Sequence, residues 1–155
     1  MGVFIIYTHL EDYVRNLYRY LNISHPNQLD INKIANKLNL TIHYGSTSFR
    51  IDNELVIKRS TKQKEWQLFG HEVGHYLIHV GNHYFMHYLF RDLQEWQANL
   101  FAYHFCVPTF MLDNLYKIIA SDIMNLFNVE FEFARKRLEM YERKVIDERL
   151  YHQAW

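Results

Sequence analysis

Leu68-Phe69-Gly70-His71-Glu72-Val73-Gly74-His75-Tyr76-Leu77-Ile78-His79 is the stretch from which the rest of this 155-residue chain can be read. At 3.6 residues per turn, His71 and His75 lie about 40° apart in rotation and about 6 Å apart along a helix axis, so two imidazoles can face one ion. Glu72 falls about 100° round from His71, beside such an ion and not on it. There a carboxylate can take a proton from a water, which is what the H-E-x-x-H spacing does mechanically. Trp66, Phe69, Val73, Leu77 and Val80 fall on the opposite side, giving the helix an apolar back to bury and a histidine front for a cleft. Gly74 costs a helix interior about 1 kcal/mol relative to alanine, which makes sense if a neighbour must approach its backbone closely.

A catalytic zinc takes three protein ligands and leaves one position open, so a third ligand is expected downstream. His79 shares the face but lies about 12 Å from His71 along the axis, too far for the same ion, and is read as a supporting residue. Glu95 has better placement. On its own helix Ala98, Asn99, Ala102 and Cys106 fall within about 60° of it, a stripe small enough to bring Glu95 against the Gly74 side. His104 projects about 180° away from Glu95. His83 and His87 stand as the alternatives, in a segment, residues 80–91, whose pattern is too irregular to place.

Working outward, residues 8–22 have helical spacing with Leu10, Val14, Leu17 and Leu21 on one side, and Ser24-His25-Pro26-Asn27 breaks it. Residues 29–38 predict a second helix with Asp30 as cap. Short strands follow at 40–44, 49–51 and 54–58, with Asp52-Asn53 as the hairpin turn between the last two. From Thr61 on the chain reads as helix: one carrying His71, one over 92–106 ended by Pro108, then three short or moderate ones. Phe131, Ala134, Leu138, Tyr141 and Val145 make the last amphipathic, with Glu132, Lys136, Arg137, Glu142 and Arg143 read as the charges between. The expected class is α+β: mostly helical, with a small antiparallel sheet, a metal-bearing unit over 1–115 and a helical extension over 116–155 packed on it.

Composition narrows the function. The formal net charge is zero and acidic residues are mixed throughout the loosely helix-turn-helix-like 121–138, which argues against direct nucleic-acid binding. One cysteine, Cys106, excludes an internal disulfide framework. The N-terminal apolar run lacks a basic leader and no stretch is long enough to span a bilayer, so the expected location is the cytoplasm, away from membranes. The oligomeric state is open.

These residues resemble the ImmA/IrrE-type metallopeptidases, in LFGHEVGHYLIH (68–79) and in EWQANLFAYHFCVP (95–108), the latter similar to the family's segment E-x-x-A, then Asn, Asp or Ser, then x-F-A, which ends near a proline. The resemblance runs over about residues 29–141 but is specific in those two stretches. It implies a zincin-like (gluzincin) fold, one zinc ion held by His71, His75 and Glu95, and Glu72 as the catalytic base. It implies a protein substrate, a helix-turn-helix repressor encoded nearby, whose cleavage derepresses a mobile element or prophage. Tyr103-His104-Phe105-Cys106 departs from the family's commoner small or aliphatic residues, which bears on substrate choice and leaves the zinc set intact.

Two other readings compete: a non-catalytic anti-repressor that sequesters its partner, and a DNA-binding regulator. Zinc is the default ion for two imidazoles and a carboxylate, with manganese and iron as alternatives. The donor to a developing oxyanion is open among Tyr103, His104, His79 and the N-terminal tyrosines. A substrate strand could add along residues 54–58, although a plain structural strand is the simpler reading.

Overall fold

The structure is a computed structural model that describes residues 2–79 and 88–154. It is helical over most of its length, with one three-stranded sheet. The first helix, α1 (Gly2–Tyr20), begins earlier than the spacing predicted and buries Val14 and Tyr18. A short 3-10 turn (Pro26–Gln28) leads to α2 (Ile31–Lys37), where the Asp30 carboxylate accepts from the Lys33 amide at 2.8 Å as the predicted cap. Asn22, Asn39 and Asn128 follow α1, α2 and a later helix in the left-handed region, at φ 57°, 57° and 54°, a conformation asparagine tolerates better than most residues.

Strands β1 (Thr41–Gly45), β2 (Phe49–Ile51) and β3 (Glu54–Lys58) lie in the spatial order β1-β3-β2. β2 and β3 form the expected antiparallel hairpin, with Asp52 at φ 51° in the turn. β1 instead runs parallel to β3, so the sheet is mixed where an antiparallel one was expected. The reason lies in β3. Leu55 and Ile57 are both fully buried, while β1 and β2 carry no buried residue, and the most apolar strand takes the centre. A substrate strand along residues 54–58 is therefore ruled out, because both edges of β3 are already paired.

The remaining elements are α3 (Lys62–Ile78), α4 (Tyr88–Cys106), the single turn α5 (Thr109–Leu112), α6 (Ala120–Phe127) and α7 (Phe131–Gln153). Tyr88–Arg91, read from sequence as irregular, is already the first turn of α4, and the last helix is longer than the short or moderate one expected. Between α1, α3 and α4 sits an aromatic core: Phe105 packs against Tyr18, Trp66, Phe69 and Phe101 at centroid distances of 5.3 to 6.0 Å. The Tyr18 hydroxyl donates to the Phe105 carbonyl at 2.6 Å, tying α1 to the end of α4. Burying each such ring is worth about 2–3 kcal/mol. Among the described residues no helix is long and apolar enough to cross a membrane.

Candidate metal centre

Thr61 caps α3, its hydroxyl accepting from the Lys64 amide at 3.2 Å. Trp66, Phe69 and Val73 bury the back of the helix as the spacing predicted; Val80, assigned to the same side, lies outside the described residues. The flank is where α4 arrives. A Cβ on Gly74 would stand 2.9 Å from Phe101 Cδ1 and 3.3 Å from the Ala98 Cα, and one on Gly70 would stand 2.7 Å from Cys106 Sγ. Glycine at both positions, against Ala98 and Ala102, lets the two helices close. That closeness delivers Glu95.

Three contacts then form a triangle. His71 Nε2 and His75 Nε2 are 3.0 Å apart, Glu95 Oε2 is 3.1 Å from His71 Nε2, and Glu95 Oε1 is 3.0 Å from His75 Nε2. Among the described residues these are the histidine, cysteine and carboxylate side chains whose ligand atoms all lie within 4.8 Å of one another. Ligands each about 2 Å from a tetrahedral centre stand about 3.3 Å apart, close to what is seen.

The chemistry of the donors agrees. The Asn99 carbonyl oxygen lies 2.9 Å from His71 Nδ1, and a carbonyl only accepts, so the proton of a neutral His71 sits on Nδ1 and its Nε2 lone pair faces Glu95. A lone pair and a carboxylate facing each other call for a cation. Two imidazoles and a carboxylate suit a divalent transition ion.

Glu72 stands where the helix phase put it, on α3 between the two histidines and almost wholly buried. Burial pushes its pKa up to about 7; the charge of Glu95 adds to the rise and Arg50 of β2 opposes it. His79 lies outside the triangle, with its Nδ1 3.1 Å from His75 Nδ1. His104 is buried on the other side of α4 with Nδ1 3.0 Å from the Leu100 carbonyl, which removes it as a donor at this site. His83 and His87 lie outside the described residues. Tyr103 stacks on Phe133 at 4.4 Å and lines, with His71, Asn99 and Gln67, a groove of about 340 Å³.

Sequence reasoning missed several parts. Gly70 repeats the role of Gly74 one turn earlier, and the G-x-x-x-G spacing was there to find. Gln67 clasps the start of α7 twice, donating to Glu130 Oε2 at 2.9 Å and accepting from the Glu130 amide at 2.7 Å. Neither that clasp nor the approach of Arg50 has a local sequence signal, since both depend on how distant elements pack.

The chain is 44% identical over 148 residues, 88% of its length and 75% of the relative's, to the phage-like element PBSX protein XkdA of Bacillus subtilis (strain 168). It is 37% identical over 149 residues, 89% of its length and 87% of the relative's, to the uncharacterized protein YqaB of the same strain. No solved structure matches it. The family model described as the IrrE N-terminal-like domain matches residues 27–139, from the turn before α2 into α7 and across both helices that build the triangle. With that span and these relatives, the chain belongs to the peptidase M78 family of metallopeptidases.

Proposed function

We propose that this protein is a zinc-dependent endopeptidase in which His71, His75 and Glu95 hold one zinc ion and Glu72 is the general base. The observation that carries the reading is the closed triangle of Nε2, Nε2 and carboxylate beside a buried carboxylate on the same helix. What a divalent ion supplies at such a site is Lewis acidity, toward a water and toward a peptide carbonyl. Glu72 then does the proton work. Its carboxylate accepts a proton from the attacking water and hands it to the leaving amine, a transfer worth about 10²–10⁴ in rate. Burial favours this role, because it raises the basicity of the Glu72 carboxylate above that of an exposed one.

The peptide is proposed to lie along the outer edge of β2, whose residues Phe49 and Ile51 are exposed and whose Arg50 is near enough for its charge to lower the Glu72 pKa. The groove past His71 to Tyr103 and Phe133 would receive substrate side chains on the far flank. The proposed substrate is a helix-turn-helix repressor encoded near this protein, cleaved to derepress a mobile element or prophage. The setting is supported by the phage-like element to which a relative belongs by name; the repressor rests on the resemblance to ImmA-type proteins.

The test incubates the purified protein with the neighbouring repressor, with and without chelator, beside Glu72→Gln. Cleavage should be lost with chelator and fall at least about 10²-fold in Glu72→Gln with zinc retained. A stoichiometric complex without cleavage would replace the peptidase by a sequestering anti-repressor.

A further inference from the structure

His71 is oriented through one hydrogen bond, to Asn99. His75 is served differently, through a chain of two. Its Nδ1 lies 3.1 Å from Nδ1 of His79, and Nε2 of His79 lies 2.8 Å from Oε1 of Gln97 on α4. His79 is the residue at which α3 ends: its amide still donates to the His75 carbonyl at 3.0 Å, but its backbone is already extended at φ −112°, ψ 130°. That turn folds the imidazole back beneath His75, with ring centroids 5.2 Å apart, and leaves His79 buried.

We propose that Gln97 and His79 are positioning residues that set which nitrogen of His75 carries its proton; the inference rests on the zinc-peptidase reading above. A neutral imidazole has one N–H and one acceptor nitrogen. The Gln97 carbonyl accepts, so His79 donates from Nε2 and its Nδ1 accepts. His75 must then donate from Nδ1, which leaves the Nε2 lone pair directed at His71 Nε2 and Glu95. Turning the Gln97 amide over reverses every bond in the chain and places a proton on His75 Nε2, where it blocks a metal. Only one direction of the relay is compatible with His75 as a ligand. Loss of such an outer partner typically weakens metal binding about 10–100-fold.

Zinc affinity, read by competition with a chromogenic chelator, tests this in wild type, His79→Phe, Gln97→Met and Gln97→Glu, together with the melting temperature of each metal-free protein. His79→Phe should bind zinc about 10–100-fold more weakly. Gln97→Met should weaken it in the same direction by less, and Gln97→Glu, which can only accept, should keep wild-type affinity. Imidazole ¹⁵N spectra of metal-free wild type should show His75 protonated on Nδ1. Wild-type zinc affinity in His79→Phe, or His75 protonated on Nε2, overturns the proposal.

If His79→Phe does not fold, the partly exposed Gln97 pair decides. A lowered melting temperature with unchanged affinity in both substitutions would reduce the relay to a structural contact. Failure of the zinc-ligand assignment has a different signature, zinc binding that survives His71→Ala or Glu95→Ala, and failure of the peptidase reading shows as a repressor complex without cleavage. The tautomer measurement needs no metal and stands in either case.

Discussion

α4 buries polar side chains on two sides, and it does so in opposite ways. On the α3 side, small residues close the helices, and the Nε2 atoms of His71 and His75 lie 3.1 and 3.0 Å from the Glu95 carboxylate. On the α7 side, Arg137 is wholly buried and two of its nitrogens donate to matched acceptors. Nε donates to the Val107 carbonyl at 2.9 Å and a terminal nitrogen donates to the Thr109 hydroxyl at 2.8 Å. The Thr109 hydroxyl donates onward to Glu11 at 2.9 Å, and Glu11 pairs with Lys144 at 3.0 Å. Matched donors and acceptors hold a fold together. Two imidazole nitrogens crowded on one carboxylate are instead the arrangement a cation would complete, and that difference separates the proposed metal seam from the structural one.

The largest effects should come from breaking this asymmetry at the acceptors. Glu95→Ala is expected to lower zinc affinity beyond the about 10–100-fold that an outer partner costs. It should nevertheless leave the metal-free protein close to wild-type melting temperature, because contacts of a half-exposed carboxylate contribute little to stability. A metal-free Glu95→Ala protein that melts well below wild type would mean the triangle is itself a stabilising hydrogen-bond cluster.

Arg137→Met should do the reverse. Hydrogen bonds from a charged donor are worth about 1.5–3 kcal/mol each, and two are lost with partial repacking, so a cost of about 3 kcal/mol in urea unfolding is expected. Zinc affinity of the folded protein should not change. Arg137→Lys should recover only part, since an ammonium cannot reproduce both directions of the guanidinium fork.

The same contrast explains what could be read in advance. The α3 face with His71 and His75 and its apolar back follow from local spacing, because residues three or four apart on a helix must share a side. The three strands and the Asp30 cap follow from alternation and cap chemistry. The small-residue stripe from Ala98 to Cys106 told which helix would close on Gly74. Arg137 was read as one of the solvated charges of α7, as its type and neighbours suggest. Its burial depends on Val107 and Thr109 exposing acceptors after α4 ends, some thirty residues earlier in the chain. The parallel β1 was hidden for a related reason: pairing partners are chosen by burial of Leu55 and Ile57 against helices, not by order along the chain.

The closeness of the functional seam can be probed at its glycines. Gly74→Ala gains about 1 kcal/mol of helix propensity. It forces a methyl against Phe101 and the Ala98 backbone, where overpacking costs about 1–3 kcal/mol. A net loss of about 1 kcal/mol is expected, with weaker zinc binding as Glu95 is pushed away. Gly70→Ala meets Cys106 Sγ first, so adding Cys106→Ala should restore much of the stability. No such rescue is open to Gly74, whose obstacles are a core ring and a backbone.

A comparable effect, seen only as pH falls, belongs to His104, which sits with Arg137 on the structural side. Burial pushes its pKa down to about 3; the charge of Arg137 pushes the same way and the bond to the Leu100 carbonyl opposes it. A histidine depressed from its unfolded value of 6.5 contributes stability that is fully present above pH 6.5 and is lost as pH falls toward 3. At pH 5.5 the loss attributable to this residue is about 1.4 kcal/mol. The difference in unfolding free energy between wild type and His104→Gln, measured metal-free at pH 7.5 and 5.5, should change by that amount. Every other titrating group is common to both proteins and cancels. A difference that stays constant would mean that water or a proton reaches His104 in the folded state, and that the Arg137 side of α4 is not the dry, matched seam described above.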